Sequence, residues 1–382
     1  MRLLIVSAYF DSHRGGVERV AGRLATEFAI RDLDVRWLAA DSSEPRKILG
    51  VKTIPIKSSN WVQEKTGVPM PLWKLQSFGV MLNAVKNADV VMLHDTLYIG
   101  NIASYLAARW YKKPVVVVQH VGRIKFHKAI FNLLMALGDR FVGRPMLARS
   151  SQTVFISERI AAEYDGVSYR VPRQVVFNAV DSAVFDPAKQ AQKKSTTRDA
   201  HGIRSDAPTV LFAGRFVPRK GLALVRKLAE ARPDVVFLLA GWGPIDPSQW
   251  GLPNVRITVV DTPQEMASLY AASDALLLPS SGEGFPLVVQ EALSMGLRVV
   301  CSTETIEADR ALKDVVAHAR FDPENPDADL AAWCDALAEV LKPEAESAAT
   351  ERSAFAKARY GVDATITKYQ SILEQVNVGG SP

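Results

Sequence analysis

Cysteine is scarce in this chain. Its 382 residues hold only Cys301 and Cys334, far apart and without the close spacing used by zinc sites and disulfide frameworks, so neither is expected and a reducing, cytosolic setting is. Cys301 ends the apolar run Leu297–Cys301 and reads as core. Long apolar runs are also lacking: none approaches the roughly 18 residues of a membrane span, so any membrane contact should be peripheral. The apolar start Leu3–Ala8 could pass for a secretion signal, but it is short and no cleavage pattern follows. It reads as a first strand. No repeat of solenoid period and no low-complexity tract is visible. The formal net charge is +5, modest for this length, and indicates no nucleic-acid partner.

Hydrophobic residues make up 48% of the chain, enough for two domains with sizeable cores. Apolar strand candidates alternate with helical patterns: Leu3–Ser7, Val90–Leu93, Val115–Gln119, Thr153–Ile156 and Val175–Phe177, then Val210–Ala213, Val235–Ala240, Val255–Val259, Ala275–Leu278 and Val299–Cys301. That rhythm predicts an α/β protein with parallel sheets, and runs such as Val115–Val118 fit strands covered on both faces. The pattern lapses between Asp186 and Pro208. Two Rossmann-like domains follow, residues 1–186 and 208–362, joined by a linker at 187–207. A terminal helix at about 363–378 carries Ile366, Tyr369, Ile372 and Leu373 at helical spacing and could finish either domain.

The most informative segment is Glu283–Glu291. It sets two carboxylates on either side of a glycine-proline turn (Gly284, Phe285, Pro286) that opens an apolar helix at Leu287. Eight residues at helical rise cover about 12 Å, roughly the separation of the sugar and the ribose in a nucleoside-diphosphate-sugar, with a helix N-terminus for the diphosphate between them. Acidic residues near a helix start often only complement its dipole, which would explain Glu283 but not Glu291. Arg215 and Lys220 follow the strand Val210–Ala213 and suit a diphosphate, one as a fork and the other as a point charge. The alternative for that segment alone is a solvated basic loop. Gly15 and Gly16 after the first strand, and Gly241 after Val235–Ala240, allow close approach of backbone to ligand, or are only turns.

These residues resemble the Glu-x7-Glu motif, the Gly-Gly loop and the Arg/Lys pair of the retaining glycosyltransferases of family 4, and the resemblance runs over nearly the whole chain. Asn178–Asp181 is similar to the family's Asn-Gly-Val-Asp turn, with Ala179 in place of glycine. The resemblance implies the GT-B fold, two Rossmann-like domains facing across a cleft, with the acceptor on the first domain, the nucleotide-sugar on the second and the terminal helix returning to the first. It implies donor binding by Gly15, Gly16, Arg215, Lys220, Gly241, Glu283, Gly284, Phe285, Pro286, Leu287 and Glu291. It also implies catalytic roles for His120, Arg215, Lys220 and Glu283, with His120 beside the donor sugar and Glu283 on a sugar hydroxyl. Front-face attack, with the leaving phosphate as base, is the mechanism it favours over a double displacement.

His94 and Asp95 end the strand Val90–Leu93 and, like His120 directly after Val115–Gln119, fall at the carboxyl edge of the expected sheet, where they suit an acceptor hydroxyl. Asp327 and Asp329 form an Asp-x-Asp pair, but they precede the helix Leu330–Leu341, where acids are ordinary; no metal and no cofactor is expected. Between Gly122 and Arg149 six basic residues (Arg123, Lys125, Lys128, Arg140, Arg144, Arg149) accompany one acid, Asp139. That excess equals the net charge of the whole chain. Lys125, Lys128, Asn132 and Asp139 share one helical face. Two readings stand: a solvated edge, or a basic helix on an anionic membrane surface, with Lys125, Lys128, Arg140 and Arg144 docking a cytoplasmic enzyme on the inner membrane near a lipid-linked acceptor. The expected activity is transfer of a sugar from a nucleoside-diphosphate-sugar to a glycan or lipid-linked acceptor in bacterial polysaccharide or glycolipid synthesis. The alternatives are an epimerase or phosphorylase on the same architecture, or a non-catalytic sugar-binding scaffold.

Overall fold

The computed structural model describes the chain except residues 14, 43–46, 67–69, 123–128 and 380–382. It divides into two compact units, Met1–Ala179 with Thr365–Pro382, and Val180–Ala364.

The first unit is built on β1 (Arg2–Tyr9), β2 (Asp34–Ala40), β3 (Val51–Ile56), a short antiparallel ribbon of β4 (Ser58–Ser59) and β5 (Leu72–Trp73), then β6 (Val90–His94), β7 (Val115–Gln119), β8 (Gln152–Phe155) and β9 (Gln174–Val175). Its seven-stranded sheet runs β3-β2-β1-β6-β7-β8-β9, with β1 parallel to both β2 and β6. Residues 90–93 and 115–118 are almost wholly buried, as expected of parallel strands between two helical layers. Strands β2 to β5 escaped the sequence reading, the last two being only two residues long each. The apolar run of β2 is broken by Arg36, and β3 contains Pro55, which a sheet tolerates at its edge.

The second unit repeats the arrangement with β10 (Thr209–Ala213), β11 (Val236–Ala240), β12 (Val255–Thr258), β13 (Ala275–Leu278), β14 (Arg298–Ser302) and β15 (Ala317–Ala319), in the order β12-β11-β10-β13-β14-β15. Counted from its own first strand, the second sheet therefore runs 3-2-1-4-5-6, the doubly wound order of a dinucleotide-binding fold, and the first sheet runs the same order with a seventh strand at its end. Phe212, Phe237, Leu224, Leu228 and Trp333 pack one face of the second sheet. Each such side chain contributes about 1.5–3 kcal/mol by leaving water.

Residues 187–207, expected as an unpatterned linker, instead form the helices Pro187–Gln190 and Lys194–Ala200 within the second unit. The first unit also ends at Ala179, earlier than the expected 186, because Val180 bridges to Gly361 of the second unit and donates its N–H to the Tyr360 carbonyl at 2.8 Å. Ala179 has no positive φ, so alanine there needs no left-handed backbone. The helix Val362–Val378 buries Ile366, Tyr369, Ile372 and Leu373, and Tyr369 meets Phe28 edge-on at 6.3 Å in the first unit.

Arg198 explains why the polar stretch is ordered. Its guanidinium is 3% exposed and donates to the carbonyls of Ala272, Arg204, Ser205 and Ala207 and to the Asp274 carboxylate at 3.0 Å. Asp274 in turn accepts the Thr209 N–H at 2.8 Å, at the start of β10. Breaking a buried charged network costs about 3–5 kcal/mol; here the loss falls on the four carbonyls left without their donor, since Asp274 keeps Lys194 at 3.4 Å. Arg198→Leu is therefore expected to lower the denaturant stability of the second unit by about that amount, and Arg198→Lys by less, since lysine keeps the charge but not the fork. A loss below about 1 kcal/mol in Arg198→Leu, which a surface ion pair would give, would refute this account.

Candidate active site

In an open doubly wound sheet, ligands bind beyond the carboxyl ends of the strands where the strand order reverses. In the second unit that point lies between β10 and β13. After β10 the chain passes Arg215 and the turn Pro218–Lys220 into the helix Leu222–Ala231. Gly221 makes this turn possible: its φ is +76°, and a Cβ there would come within 2.1 Å of the Pro279 carbonyl oxygen. The loop after β13 is stitched to the first by the Ser281 N–H donating to the Arg219 carbonyl at 2.9 Å, and is held from its other side by Glu304, which accepts the Gly282 N–H at 3.0 Å.

These two loops bring Lys220 and Glu283 together, Nζ to Oε1 at 2.8 Å, with Arg219 Nη1 at 4.0 Å. Arg215 is exposed and its guanidinium lies 5.1 Å from the Trp242 ring centroid. The Gly241 turn holds this loop, since Trp242 accepts the Phe216 N–H at 2.8 Å. The helix Leu287–Ser294 then begins at Pro286 with no side-chain cap and no acid in its first turn. Its leading N–H groups and dipole favour an anion there. Phe285, 4% exposed, anchors the turn edge-on against Tyr360 at 5.5 Å, and Gly284 and Leu287 complete it. Further along, Glu291 Oε2 accepts a hydrogen bond from the Tyr270 hydroxyl at 2.9 Å; burial and that carboxylate push the Tyr270 pKa well up. The donor-binding residues read from the second half of the sequence (Arg215, Lys220, Gly241, Glu283 to Leu287 and Glu291) thus gather at one edge of one sheet, whereas Gly15 and Gly16 lie in the first unit. Tyr270 and Glu304 were not anticipated, as each acts through a contact distant in sequence.

In the first unit the order reverses between β1 and β6. Gly15 caps the helix Gly16–Ile30, and the Glu18 carboxylate folds back over this N-terminus, so close that a Cβ on Gly15 would lie 1.9 Å from its Oε2. Glu18 is 6% exposed, and burial pushes its pKa up to about 7 against its own backbone N–H. The anion site expected of Gly15 and Gly16 is thus covered by a carboxylate of the chain itself. The signal for it was present in the sequence, an acid at the third helical position behind two glycines.

At the end of β6, Asp95 has φ +68°, an unfavourable left-handed conformation for a residue with a side chain. Asn101 Nδ2 fastens it by donating to the carbonyls of His94 and Asp95 at 2.5 and 2.8 Å. Asp95 Oδ1 accepts the N–H groups of His120 and Val121 at 2.7 and 3.1 Å, tying β6 to the end of β7. Burial pushes its pKa up to about 7, with the Glu18 charge adding to this and the two amides opposing it. His94 and His120 meet through His94 Nδ1 and His120 Nε2 at 2.8 Å. Burial lowers the His94 pKa to about 3, and burial together with His94 lowers that of His120 well below the usual value.

Lys125 and Lys128 lie outside the described residues. Asp139, read as part of the solvated face, is 8% exposed and accepts from Arg144 Nε at 3.1 Å. Arg144 also donates to the Glu163 carbonyl and covers the Tyr164 ring, which ties it to the fold. What the helix Ala129–Gly138 and the turn after it expose is apolar: Ile130, Leu133, Leu134, Leu137 and Phe141 are 42–68% exposed, beside an exposed Arg140. Of the Asp-x-Asp pair, Asp327 forms an ion pair with Lys227 on the helix Leu222–Ala231.

A carboxyl whose pKa is raised by folding adds stability below its unfolded pKa and loses it as pH rises through the folded value. For Glu18 that window runs from about 4.5 to about 7. At about 1.4 kcal/mol per pH unit, Glu18→Gln is expected to gain about 3 kcal/mol relative to the parent between pH 4 and pH 8. Parallel denaturation curves across that range would show instead that the carboxylate is solvated.

The profile described as Glycosyltransferase Family 4 matches residues 14–184, and that described as Glycosyl transferases group 1 matches residues 207–342. A D-inositol 3-phosphate glycosyltransferase of Mycolicibacterium smegmatis is 26% identical over 309 residues, covering 74% of this chain and 67% of that protein. One from Mycolicibacterium gilvum is also 26% identical, covering 73% and 65%. The chain thus spans about two thirds of the length of these curated relatives. Among solved structures, a sucrose-phosphate synthase from Thermosynechococcus elongatus superposes over the whole of both chains with a TM-score of 0.75 at 15% identity. Anabaena HepE, in complex with UDP and glucose, superposes with a TM-score of 0.72 at 15% identity over 98% of this chain and 100% of its own. With two Rossmann-like domains of the α/β GT-B fold and both profiles matched in chain order, the chain belongs to the group 1 glycosyltransferases of family 4.

Proposed function

We propose that this chain transfers a sugar, with retention of anomeric configuration, from a nucleoside-diphosphate-sugar to a hydroxyl of a glycan or lipid-linked acceptor in bacterial polysaccharide or glycolipid assembly. The observation that carries this reading is the convergence in the second unit of Arg215, the Lys220–Glu283 pair and the Tyr270-held Glu291 around an uncapped helix start. A departing diphosphate gains negative charge as its bond to the sugar breaks, and fixed cations and N–H groups stabilise that charge more in the transition state than in the ground state. Lys220 would exchange Glu283 for a phosphate oxygen, leaving Glu283 to receive a sugar hydroxyl while Glu291 receives the ribose. A carboxylate given over to a sugar hydroxyl acts as a binding group, not as a nucleophile, which supports front-face attack with the leaving phosphate as base over a covalent intermediate.

Donor binding is proposed to need no metal, since Arg215, Lys220 and the helix start supply the charge and Asp327 is already paired with Lys227. On the first unit, Glu18 and Asp95 suit the hydroxyls of an acceptor. A UDP-sugar is the first donor to try, because HepE was solved with UDP and glucose. Calorimetry with UDP-, GDP- and ADP-sugars should find one donor whose turnover survives EDTA. Glu291→Ala should weaken its binding about 10- to 100-fold, the worth of hydrogen bonds to a charged group, whereas Glu283→Ala should mainly lower kcat. Parent-like binding and turnover in both variants would refute the donor site, strict dependence on a divalent ion would refute the metal-free reading, and interconversion of the donor sugar without acceptor would favour the epimerase.

The exposed apolar stripe from Ile130 to Phe141 supports a lipid-linked acceptor, since contiguous apolar surface beside basic residues suits a bilayer interface. Docking is thereby proposed to rest on burial of these side chains, with Arg140, Lys125 and Lys128 adding about 1 kcal/mol each near anionic lipid. Sedimentation with phosphatidylglycerol vesicles should show binding that high salt weakens but does not abolish. Leu134→Asn with Phe141→Asn should reduce it more than tenfold, as each side chain is worth about 1.5–3 kcal/mol when buried. A parent protein that ignores these vesicles at low salt would move the acceptor to the soluble class.

A further inference from the structure

His94 lies at the switch point of the first sheet, yet it is 0% exposed and cannot touch an acceptor. Among the described residues the one polar contact of its ring is with His120, Nδ1 to Nε2 at 2.8 Å. The ring centroids are 5.0 Å apart and the planes 25° from parallel. A 2.8 Å nitrogen contact leaves about 2.2 Å of that separation to the two rings, close to twice the distance from an imidazole centre to its own nitrogen. The contact therefore runs along both rings, nitrogen facing nitrogen, as a linear hydrogen bond requires. Such a bond holds one proton. Either His94 Nδ1–H donates to His120 Nε2, or His120 Nε2–H donates to His94 Nδ1.

The far side of His94 decides between them. Its Nε2 is buried with no hydrogen-bond partner among the described residues. In the second arrangement that nitrogen carries a proton and becomes an orphaned buried N–H, which folded proteins avoid more strictly than an under-satisfied acceptor. In the first arrangement Nε2 is a bare lone pair, and the proton of His94 sits on Nδ1 where it is used. Neutral His120 must then carry its own proton on Nδ1, the nitrogen turned away from His94.

We infer that His94 is a positioning residue that fixes the tautomer of His120, so that His120 offers its ligand an N–H donor at Nδ1 and is no general base there. Asp95 completes the arrangement by holding the His120 backbone N–H. His94, read from the sequence as an acceptor contact, is thereby reassigned to the support of His120. The inference rests on the proposed glycosyl transfer only for its consequence, that His120 donates to a hydroxyl or phosphate oxygen of the substrate. The tautomer itself belongs to the protein without substrate.

The test is a long-range proton–nitrogen correlation spectrum of full-length protein labelled with nitrogen-15 at histidine, free of substrate, with the six histidines assigned from His94→Asn and His120→Asn. A protonated, pyrrole-type Nδ1 and a bare, pyridine-type Nε2 on His120 are expected; the reverse overturns the inference, whether or not the protein transfers a sugar. Kinetics with the donor found above provide the second arm. His94→Asn places an amide donor at the position of Nδ1 and should keep kcat within about threefold, while His94→Leu should lower it by about 10- to 100-fold, the usual effect of losing a group that orients a functional histidine, with KM for donor little changed. Equal kcat in the two variants would overturn the inference.

Discussion

Right-handed crossovers between parallel strands send the connecting helices to one face of a sheet while the order runs one way and to the other face once it reverses. Where the direction changes, no helix covers the carboxyl edge, and the loops there are free of the packing that fixes the others. Both units obey this constraint, with β1 beside β6 in one and β10 beside β13 in the other. Residues of consequence in each unit gather at that edge because it is where polar side chains can reach solvent or ligand from a sheet whose interior is apolar throughout. Two similar frames carry different chemistry. The second presents cations and an open helix start, and the first presents carboxyls and a pair of neutral imidazoles.

Much of this was legible in the sequence because it depends on local pattern. The alternation of apolar runs and helices gave the parallel sheets, and the glycine-proline turn at Gly284–Pro286 marked the helix that carries Glu291. What stayed hidden depends on contacts across the chain. The strand β2 contains Arg36, yet its register against β1 is set by Val35, Trp37 and Leu38, a pairing no local window reveals. The stretch 187–207 looked like a linker since its single organising residue, Arg198, finds its partners up to 76 positions away. Tyr270 and Glu304, which steady the helix and the loop after β13, are ordinary residues until the fold brings them to Glu291 and Gly282.

Charge was the least legible property. Counting lysines and arginines located a basic segment, but not that Arg144 turns inward to Asp139 and the Tyr164 ring, nor that the surface left exposed is apolar. Likewise the two glycines after β1 suggested an open anion site. The following acid, Glu18, covers it, since a buried carboxyl near a helix start is stabilised by the same N–H groups that would have held a ligand.

The backbone at Asp95 sets stability and geometry at odds. A left-handed conformation costs a residue with a Cβ on the order of 1 kcal/mol or more, and glycine would escape that cost. Glycine, however, has no carboxylate to receive the amides of His120 and Val121, so the end of β7 would be released as the strain was relieved. Selection for a more robust protein would drift toward glycine at this position, and selection for a well-aimed histidine would hold it back. The strained aspartate is thus a place where the evolutionary history of the chain should be readable as a preference for precision over ease of folding.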